Sequence, residues 1–336
     1  MTSRKSGNFC RILVTGGMGF VGSHLLPKLV TAYPQALGTV WIGPPLPGER
    51  EIGRGWKAQA CDLTDRSAVR EALADVKPDL IVHLAAQSSV ATSGSDGAGT
   101  WDVNFGGTYS LARNCASLGL APVFFFVSSA ETYGRSLNDG PATESTPLQP
   151  LNCYARSKAA AESVLLDVLP SEAQLIVARP FNHTGRGQDR RFVLPSFAAQ
   201  IAEIEAGRRP PVLEVGNLHV ARDFLDVGDV CDAYVRLIAG ALEMSARETF
   251  NVCSGIPYEI GNLLDILRSK AKCEFSYVVD PARARPSEVP VAVGVNQKLR
   301  DFSGWAPSTP IDSILDTLLL EARARVAGAP VMRMDS

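Results

Sequence analysis

The chain has 336 residues, 46% hydrophobic and 20% charged, enough for a large buried core and more naturally for two domains or a domain with a lobe. A formal net charge of -2 leaves no electrostatic footprint for a nucleic-acid backbone or an anionic membrane, so clusters such as Arg190-Arg191 and Arg208-Arg209 read as solvated faces. Seven scattered cysteines without a CxxC pair, and only four histidines, give no recognisable metal site and fit a reduced, cytoplasmic protein. The polar N-terminus and the lack of any run of about 18 apolar residues argue against a signal segment or a membrane span.

Residues 11–15 form a short apolar strand, and Gly16, Gly19 and Gly22 follow in GxxGxxG spacing, with a helix starting near Gly19. In a dinucleotide-binding turn Gly16 permits the tight bend, Gly19 lets the backbone approach a pyrophosphate, and Gly22 lets helix and sheet pack closely. Phosphates then meet free N–H groups at the helix start, around Phe20 and Val21. The plain alternative is a tight turn with no ligand. A second strand, residues 38–42, ends in Gly43 and not in the acid that would hold an adenosine ribose diol. The proline-rich connection from 43 to 55, with Arg50 and Arg54, reads as irregular. Residues 56–61 form a third strand leading to Asp62-Leu63, where the carboxylate either holds an adenine amino group or caps a helix over 64–73.

Residues 79–84 are nearly all apolar, as an interior parallel strand should be. After them Leu84, Ala85 and Ala86 would let a flat ring lie against the backbone, and Gln87, Ser88 and Ser89 could meet a polar ligand. Residues 91–100, rich in glycine and serine, read as a loop, and a helix follows from about 102 to 118. Its Asn104 either holds a backbone carbonyl or water, or faces solvent. Residues 122–127 make the most hydrophobic strand, hence a central one, and deliver Ser129 and Glu131 to the carboxyl end of the sheet, where open α/β sheets bind ligands. Tyr154 and Lys158 stand four apart on a helix capped by Asn152, so the ammonium can sit near the phenol and draw its pKa toward neutrality. A phenol so tuned suits acid-base work on a carbonyl or hydroxyl. Such a pair alone is most often helix surface; with Ser129 and Glu131 it makes a polar constellation around a substrate oxygen.

These motifs, with Arg179-Pro180-Phe181-Asn182-His183-Thr184-Gly185, Gln188, Arg222-Asp223-Phe224 and Arg285-Pro286-Ser287-Glu288, resemble the extended short-chain dehydrogenase/reductase superfamily. Within it the chain is similar to the nucleotide-sugar epimerases, dehydratases and reductases, above all to the branch reducing GDP-4-keto-6-deoxy-D-mannose. The resemblance covers nearly all the chain. It implies an α/β fold, a Rossmann-type doubly wound parallel sheet with a smaller C-terminal lobe. Residues 1–180 and about 223–253 would bind NADP or NAD; residues 181–222 and 254–336 would bind a nucleotide sugar. The cofactor would lie on Gly16, Gly19, Phe20, Val21, Gly22, Asp62, Leu63, Leu84, Ala85, Ala86, Tyr154 and Lys158. Tyr154 would donate the proton, Lys158 would hold the nicotinamide ribose, Ser129 would bond the sugar C4 oxygen, and Glu131 would complete the catalytic set. Ser88, Asn182, Arg222 and Arg285 would grip the rest of the substrate, the arginines through oxygens of phosphate or ribose.

Two departures bear on specificity: Arg186 stands where relatives have proline, and Ala130 where dTDP-glucose dehydratases have an aspartate. The expected activity is net reduction of a nucleotide-linked 4-keto-6-deoxyhexose. A 4-epimerase or 4,6-dehydratase retaining NAD, and a non-catalytic dinucleotide sensor, are the alternatives. A homodimer through helices flanking the catalytic residues is expected, with neither nucleic acid nor membrane as partner.

Overall fold

The computed structural model describes residues 9–43, 50–88, 90–281 and 288–328. In chain order it runs β1 (Arg11–Thr15), α1 (Phe20–Ala32), β2 (Leu37–Ile42), β3 (Arg50–Gly53), β4 (Trp56–Ala60), α2 (Arg66–Val76) and β5 (Leu80–His83). Next come α3 (Val90–Ser95), α4 (Gly97–Trp101), a π-helical turn (Asp102–Gly107), α5 (Thr108–Ser117), β6 (Val123–Val127), α6 (Cys153–Val168), β7 (Gln174–Pro180) and β8 (Asn182–Thr184). The rest is α7 (Val193–Glu205), β9 (Val212–Val215), β10 (Ala221–Asp226), α8 (Val227–Ala239), β11 (Arg247–Val252), β12 (Pro257–Glu259), α9 (Ile260–Ser269), β13 (Ser276–Val279), β14 (Val291–Ala292), α10 (Gln297–Ser303) and α11 (Ile311–Val326).

Eight strands form the main sheet in the order β11-β7-β6-β5-β1-β2-β4-β3, parallel throughout except for β3 at the edge. The chain winds outward from β1 through β2 to β4, then crosses back to β5 and winds the other way. The reversal between β1 and β5 is a topological switch point, where a crevice opens at the carboxyl ends of the strands. Both faces are covered. Ile12, Val14, Val82 and Phe125 pack with Leu25 and Leu29 of α1 and Tyr234 and Leu237 of α8, while Leu13, Ile81, Phe124 and Phe126 pack with Val69 and Leu73 of α2 and Leu165 of α6. Alternate residues of one strand thus enter different cores, which explains why these strands read as unbroken apolar runs. Phe124, Phe125 and Phe126 are fully buried, each worth about 1.5–3 kcal/mol in transfer from water.

A third core joins α7, α9 and α11 through Leu194, Phe197, Ile201, Leu263, Leu267, Leu315 and Leu318. In the small sheet β12-β10-β14, with β8 also on β10, the central strand is β10. Helix α10 returns to the first core, to which Leu299 and Trp305 belong.

Three local readings are corrected. Residues 90–95 and 97–101 are helical, not a loop, and Asp96 between them caps α4 by accepting from Gly99 N at 2.9 Å. The connection after β2 carries an antiparallel strand, β3, with Arg54 in a left-handed turn at φ 53°. Helix α2 starts at 66, since Asp65 accepts from Ser67 and Ala68 N, while Asp62 accepts from Thr64 N and Oγ1 in the turn before it. Among the described residues no helix is long and apolar enough to cross a membrane, and no cluster of metal-ligating side chains occurs.

Candidate active site

The switch-point crevice is a cavity of about 750 Å³. One end is built by the turn after β1. Gly16 has φ 68°, and a Cβ there would meet Ala85 N at 2.7 Å; a Cβ on Gly22 would strike Gly17 O at 2.3 Å. The turn therefore lies flat against the strand end of β5 and against its own helix. No side chain caps α1, whose first residues Phe20, Val21 and Gly22 line the cavity with Gly19. Uncapped N–H groups at a helix start, facing an open groove, suit a pyrophosphate. Asp62, Leu63, Leu84, Ala85, Ala86 and Ser88 line the same cavity. A long groove with a phosphate cradle at a helix start and an acid beyond β4 fits a dinucleotide.

The other end carries Ser129, Glu131, Tyr154, Lys158 and Asn182. Ser129 lies just past β6, its hydroxyl accepting from Glu131 N at 3.2 Å and near enough to the Tyr154 phenol to act on its pKa. Asn152 opens α6 by accepting from Ala155 N at 2.8 Å, and its amide donates to Glu131 Oε2 at 3.1 Å. The carboxylate is thereby fixed at the amino end of the helix that carries Tyr154, where the helix dipole favours it.

The expected pull of Lys158 on the tyrosine is not what the geometry shows. Lys158 Nζ donates to Val127 O at 2.6 Å and lies 4.6 Å from the centre of the Phe126 ring. Burial pushes the Tyr154 phenol up to about 12, against the lowering effect of the Ser129 hydrogen bond and with Glu131 raising it further. Burial likewise draws Lys158 down to about 7, with Glu162 acting in the opposite direction. The phenol is therefore fully protonated at neutral pH, and the lysine is the group poised near it.

Beside this pair a buried polar chain ties the two ends together. His83 Nδ1 bonds Thr15 Oγ1 at 2.6 Å and its Nε2 bonds Thr108 Oγ1 at 2.9 Å; Thr108 Oγ1 donates to Asn104 O at 2.6 Å. Since the Thr108 proton is used on that carbonyl, His83 carries its own on Nε2 and accepts at Nδ1. Burial, then the neighbouring Lys158, draw its pKa down to about 3, so it is neutral. Asn104 is buried, accepting from Gln87 N at 2.8 Å and donating to Gln87 O and to Ser157 Oγ of α6. The carbonyl-holding alternative is the one realised.

Arg222 does not line the cavity. Its Nη1 donates to Ala221 O at 2.8 Å, and Glu131 is the charge acting on it. The neighbouring Asp223 is engaged elsewhere, accepting from Ser254 N, Ser254 Oγ and Gly255 N. Arg285 and Ser89 lie outside the described residues. Residues without an assigned role complete the wall: Thr15, Phe181, His183, Arg191 and Phe192. Arg191, read as part of a solvated face, lines the cavity while bonded to Asp189 at 3.2 Å. The signal for it was its place nine residues after Asn182 in one connected segment.

A doubly wound sheet with a glycine turn at its first strand, and serine, tyrosine and lysine meeting at the switch point, defines the extended short-chain dehydrogenase/reductase class. The chain belongs to the GDP-mannose 4,6 dehydratase family, which it matches over residues 13–318. It is 37% identical over 318 residues to the GDP-6-deoxy-D-mannose reductase of Pseudomonas aeruginosa, covering 94% of this chain and 98% of that one. It is 30% identical over 295 residues to the GDP-6-deoxy-D-talose 4-dehydrogenase of Aggregatibacter actinomycetemcomitans, covering 88% and 91%. Among solved structures, RMD from Pseudomonas aeruginosa complexed with NADPH superposes with a TM-score of 0.77 at 34% identity, over 94% of this chain and all of the other.

Proposed function

We propose that the protein reduces the C4 keto group of a nucleotide-linked 4-keto-6-deoxyhexose, GDP-4-keto-6-deoxy-D-mannose, with NADPH or NADH. The observation that carries this reading is the buried Tyr154 phenol standing with Ser129 and Lys158 on the wall of a dinucleotide groove. Reduction needs an acid that is loaded when charge develops on the C4 oxygen. A phenol near 12 keeps its proton at pH 7 and still gives it to an alkoxide, which is the stronger base. Ser129 would hold the keto oxygen against that phenol, and the Lys158 ammonium would stabilise the phenolate left behind. When bound, the nicotinamide supplies the hydride. The end of β2 at Ile42-Gly43, without an acid, favours NADPH, the ligand of the Pseudomonas structure. Asn182 and Ser88 on the cavity wall would bind the nucleotide sugar, joined by Arg285. A dehydratase needs an acid and a base beyond the tyrosine; next to Ser129 stand Ala130 and Glu131, which supply one carboxylate.

The same reading divides the chain into a dinucleotide domain on the eight-stranded sheet and a substrate lobe on the third core. A homodimer is supported by a row of aromatic residues, Trp101, Phe105 and Tyr109, with Phe105 and Tyr109 stacked at 6.3 Å, beside α6 and its exposed Leu166. Seven free cysteines favour the cytoplasm. The test is to mix purified protein, GDP-4-keto-6-deoxymannose and NADPH or NADH, following nicotinamide absorbance and the product by NMR. Stoichiometric cofactor oxidation with a new C4 hydroxyl is expected. Interconversion of nucleotide hexoses with no net cofactor consumption overturns the reductase reading in favour of an epimerase or dehydratase.

A further inference from the structure

His183 is the middle residue of β8, next to Asn182, and lines the cavity with it. Its Nδ1 meets Phe181 O at 2.9 Å. A carbonyl only accepts, so the ring proton sits on Nδ1 and Nε2 keeps a bare lone pair. His24 and His83 hold the opposite tautomer, since His24 Nε2 donates to Arg186 O at 2.8 Å and His83 Nε2 to Thr108 Oγ1 at 2.9 Å. Among the described residues none bonds His183 Nε2, and that atom is open to solvent rather than sealed in the protein. The ring is also locked in place. One face stacks on Phe20 at 6.1 Å with the planes 4° apart, and the backbone is held by Gln188 Nε2, which donates to His183 O at 3.0 Å, and by pairing with Leu225 of β10. Gln188 is itself fixed by Thr184 Oγ1 at 2.6 Å. A rigid, unspent acceptor on a cavity wall is prepared for a ligand that brings a donor.

The place of the ring along the groove says which donor. Phe20, its stacking partner, opens α1, whose uncapped N–H groups form the phosphate cradle, while the neighbouring Asn182 belongs to the end that carries Tyr154 and Lys158. Between the pyrophosphate and the reacting end of a nicotinamide dinucleotide lies its nicotinamide nucleoside. That half brings ribose hydroxyls and a carboxamide NH₂, whereas an ionised phosphate brings no donor at all. We propose that His183 Nε2 accepts a hydrogen bond from the nicotinamide nucleoside and so fixes that half of the cofactor between the phosphate cradle and Tyr154. The N–H groups at the start of α1 and the Lys158 amine are donors that meet oxygens; His183 is the complementary acceptor. Because its ring leans on Phe20, the turn that cradles the phosphates also aims this lone pair.

This inference rests on the cavity being a dinucleotide groove and not on the sugar it reduces, so its test needs no turnover. Long-range nitrogen–proton NMR reads the tautomer of each of the four histidine rings in the whole protein. Without ligand, His183 is the ring with its proton on Nδ1 that is not the exposed His219. Its bare Nε2 signal should move upfield when NADP is added, and stay in place with ADP, which lacks the nicotinamide nucleoside, or with GDP-mannose. His183→Phe keeps a ring against Phe20 but loses the acceptor, and NADPH affinity by fluorescence should fall about two- to tenfold, the range of one neutral hydrogen bond. In His183→Gln, whose amide oxygen can take the place of Nε2, most of that affinity should remain, and ADP affinity should be equal in all three proteins. The NMR arm uses the unaltered chain and decides even where His183→Phe does not fold. A ring proton on Nε2 in the free protein overturns the inference, as does an Nε2 signal that ignores NADP or answers ADP or GDP-mannose instead, or undiminished NADPH affinity in a folded His183→Phe. An Nε2 response to NADP in a protein that reduces no nucleotide keto sugar leaves the inference standing and removes the proposed function instead.

Discussion

At the scale of single residues, the proposed reduction turns on a phenol that burial keeps protonated. If Tyr154 is the proposed donor, needed only as charge builds on the C4 oxygen, Tyr154→Phe should lower turnover about 10²–10⁴-fold with KM little changed, measured by steady-state kinetics. A variant keeping half its turnover takes Tyr154 out of the mechanism. His83 gives a stability prediction with a definite sign. Unfolded, it takes a proton near 6.5; folded, only near 3, so as pH falls below 6.5 the unfolded chain binds the proton first and stability is lost. Carboxylates with lowered pKa, such as Glu205 and Glu248, act the same way only below about their ordinary 4.5, while Asp223 and Asp226, raised by burial, act in the opposite sense, so the histidine contribution is read as a difference between variants in the window from 4.5 to 6.5. His183, also lowered by burial, shares it. Thermal melts across that window should show a shallower pH slope in His83→Gln than in wild type. Tyr154, Lys158 and Ser129 were legible because their side chains are chemically distinctive and two are local in sequence. His83 was not, because inside an apolar strand nothing marks a histidine whose partners, Thr15 and Thr108, lie 68 and 25 residues away. The charge state of the lysine and phenol was misread for a related reason: spacing tells which groups are near, and burial decides which form they hold.

At the scale of elements, the segment from β8 to α7 is tethered on two sides. Toward the dinucleotide turn, His24 Nε2 meets Arg186 O at 2.8 Å and the rings of Phe20 and His183 stack at 6.1 Å. Toward the lobe, Gly187 N donates to both oxygens of the buried Glu321 on α11, at 3.1 and 2.9 Å. Glu321→Gln should therefore raise KM for the nucleotide sugar several-fold while leaving NADPH affinity unchanged, compared by kinetics and fluorescence titration. Equal losses in both would mean general loosening. The π-helical turn makes a second case. Asn104→Ala strips partners from Gln87 N, Gln87 O and Ser157 Oγ at once, and each unsatisfied buried group costs about 1–3 kcal/mol. Denaturant unfolding should show a loss at the upper end of that range or beyond. A helix is legible here but not its π character, since Gly106 and Gly107 permit the wider turn and only the long-range bonds of Asn104 call for it.

At the scale of the whole molecule, the Rossmann sheet was readable because two-sided burial writes itself into unbroken apolar strands. The lobe was not, because its short strands β8, β12 and β14 hold two or three residues each and are fixed by pairing to β10 rather than by their own pattern. Ligand should stabilise the whole: saturating NADPH at about a hundred times Kd adds about 2.7 kcal/mol, visible as a rise in Tm. The buried carboxylate of Asp223 accepts from Ser254 and Gly255, just past β11, while its own strand β10 pairs with β8, which continues β7, and runs through Asp226 straight into α8. Three passages of backbone between sheet and lobe are thus riveted at one spot. Such a joint opposes a hinge between sheet and lobe, so small-angle scattering with and without saturating NADPH should give the same radius of gyration, and a clear contraction on binding would show the two parts closing.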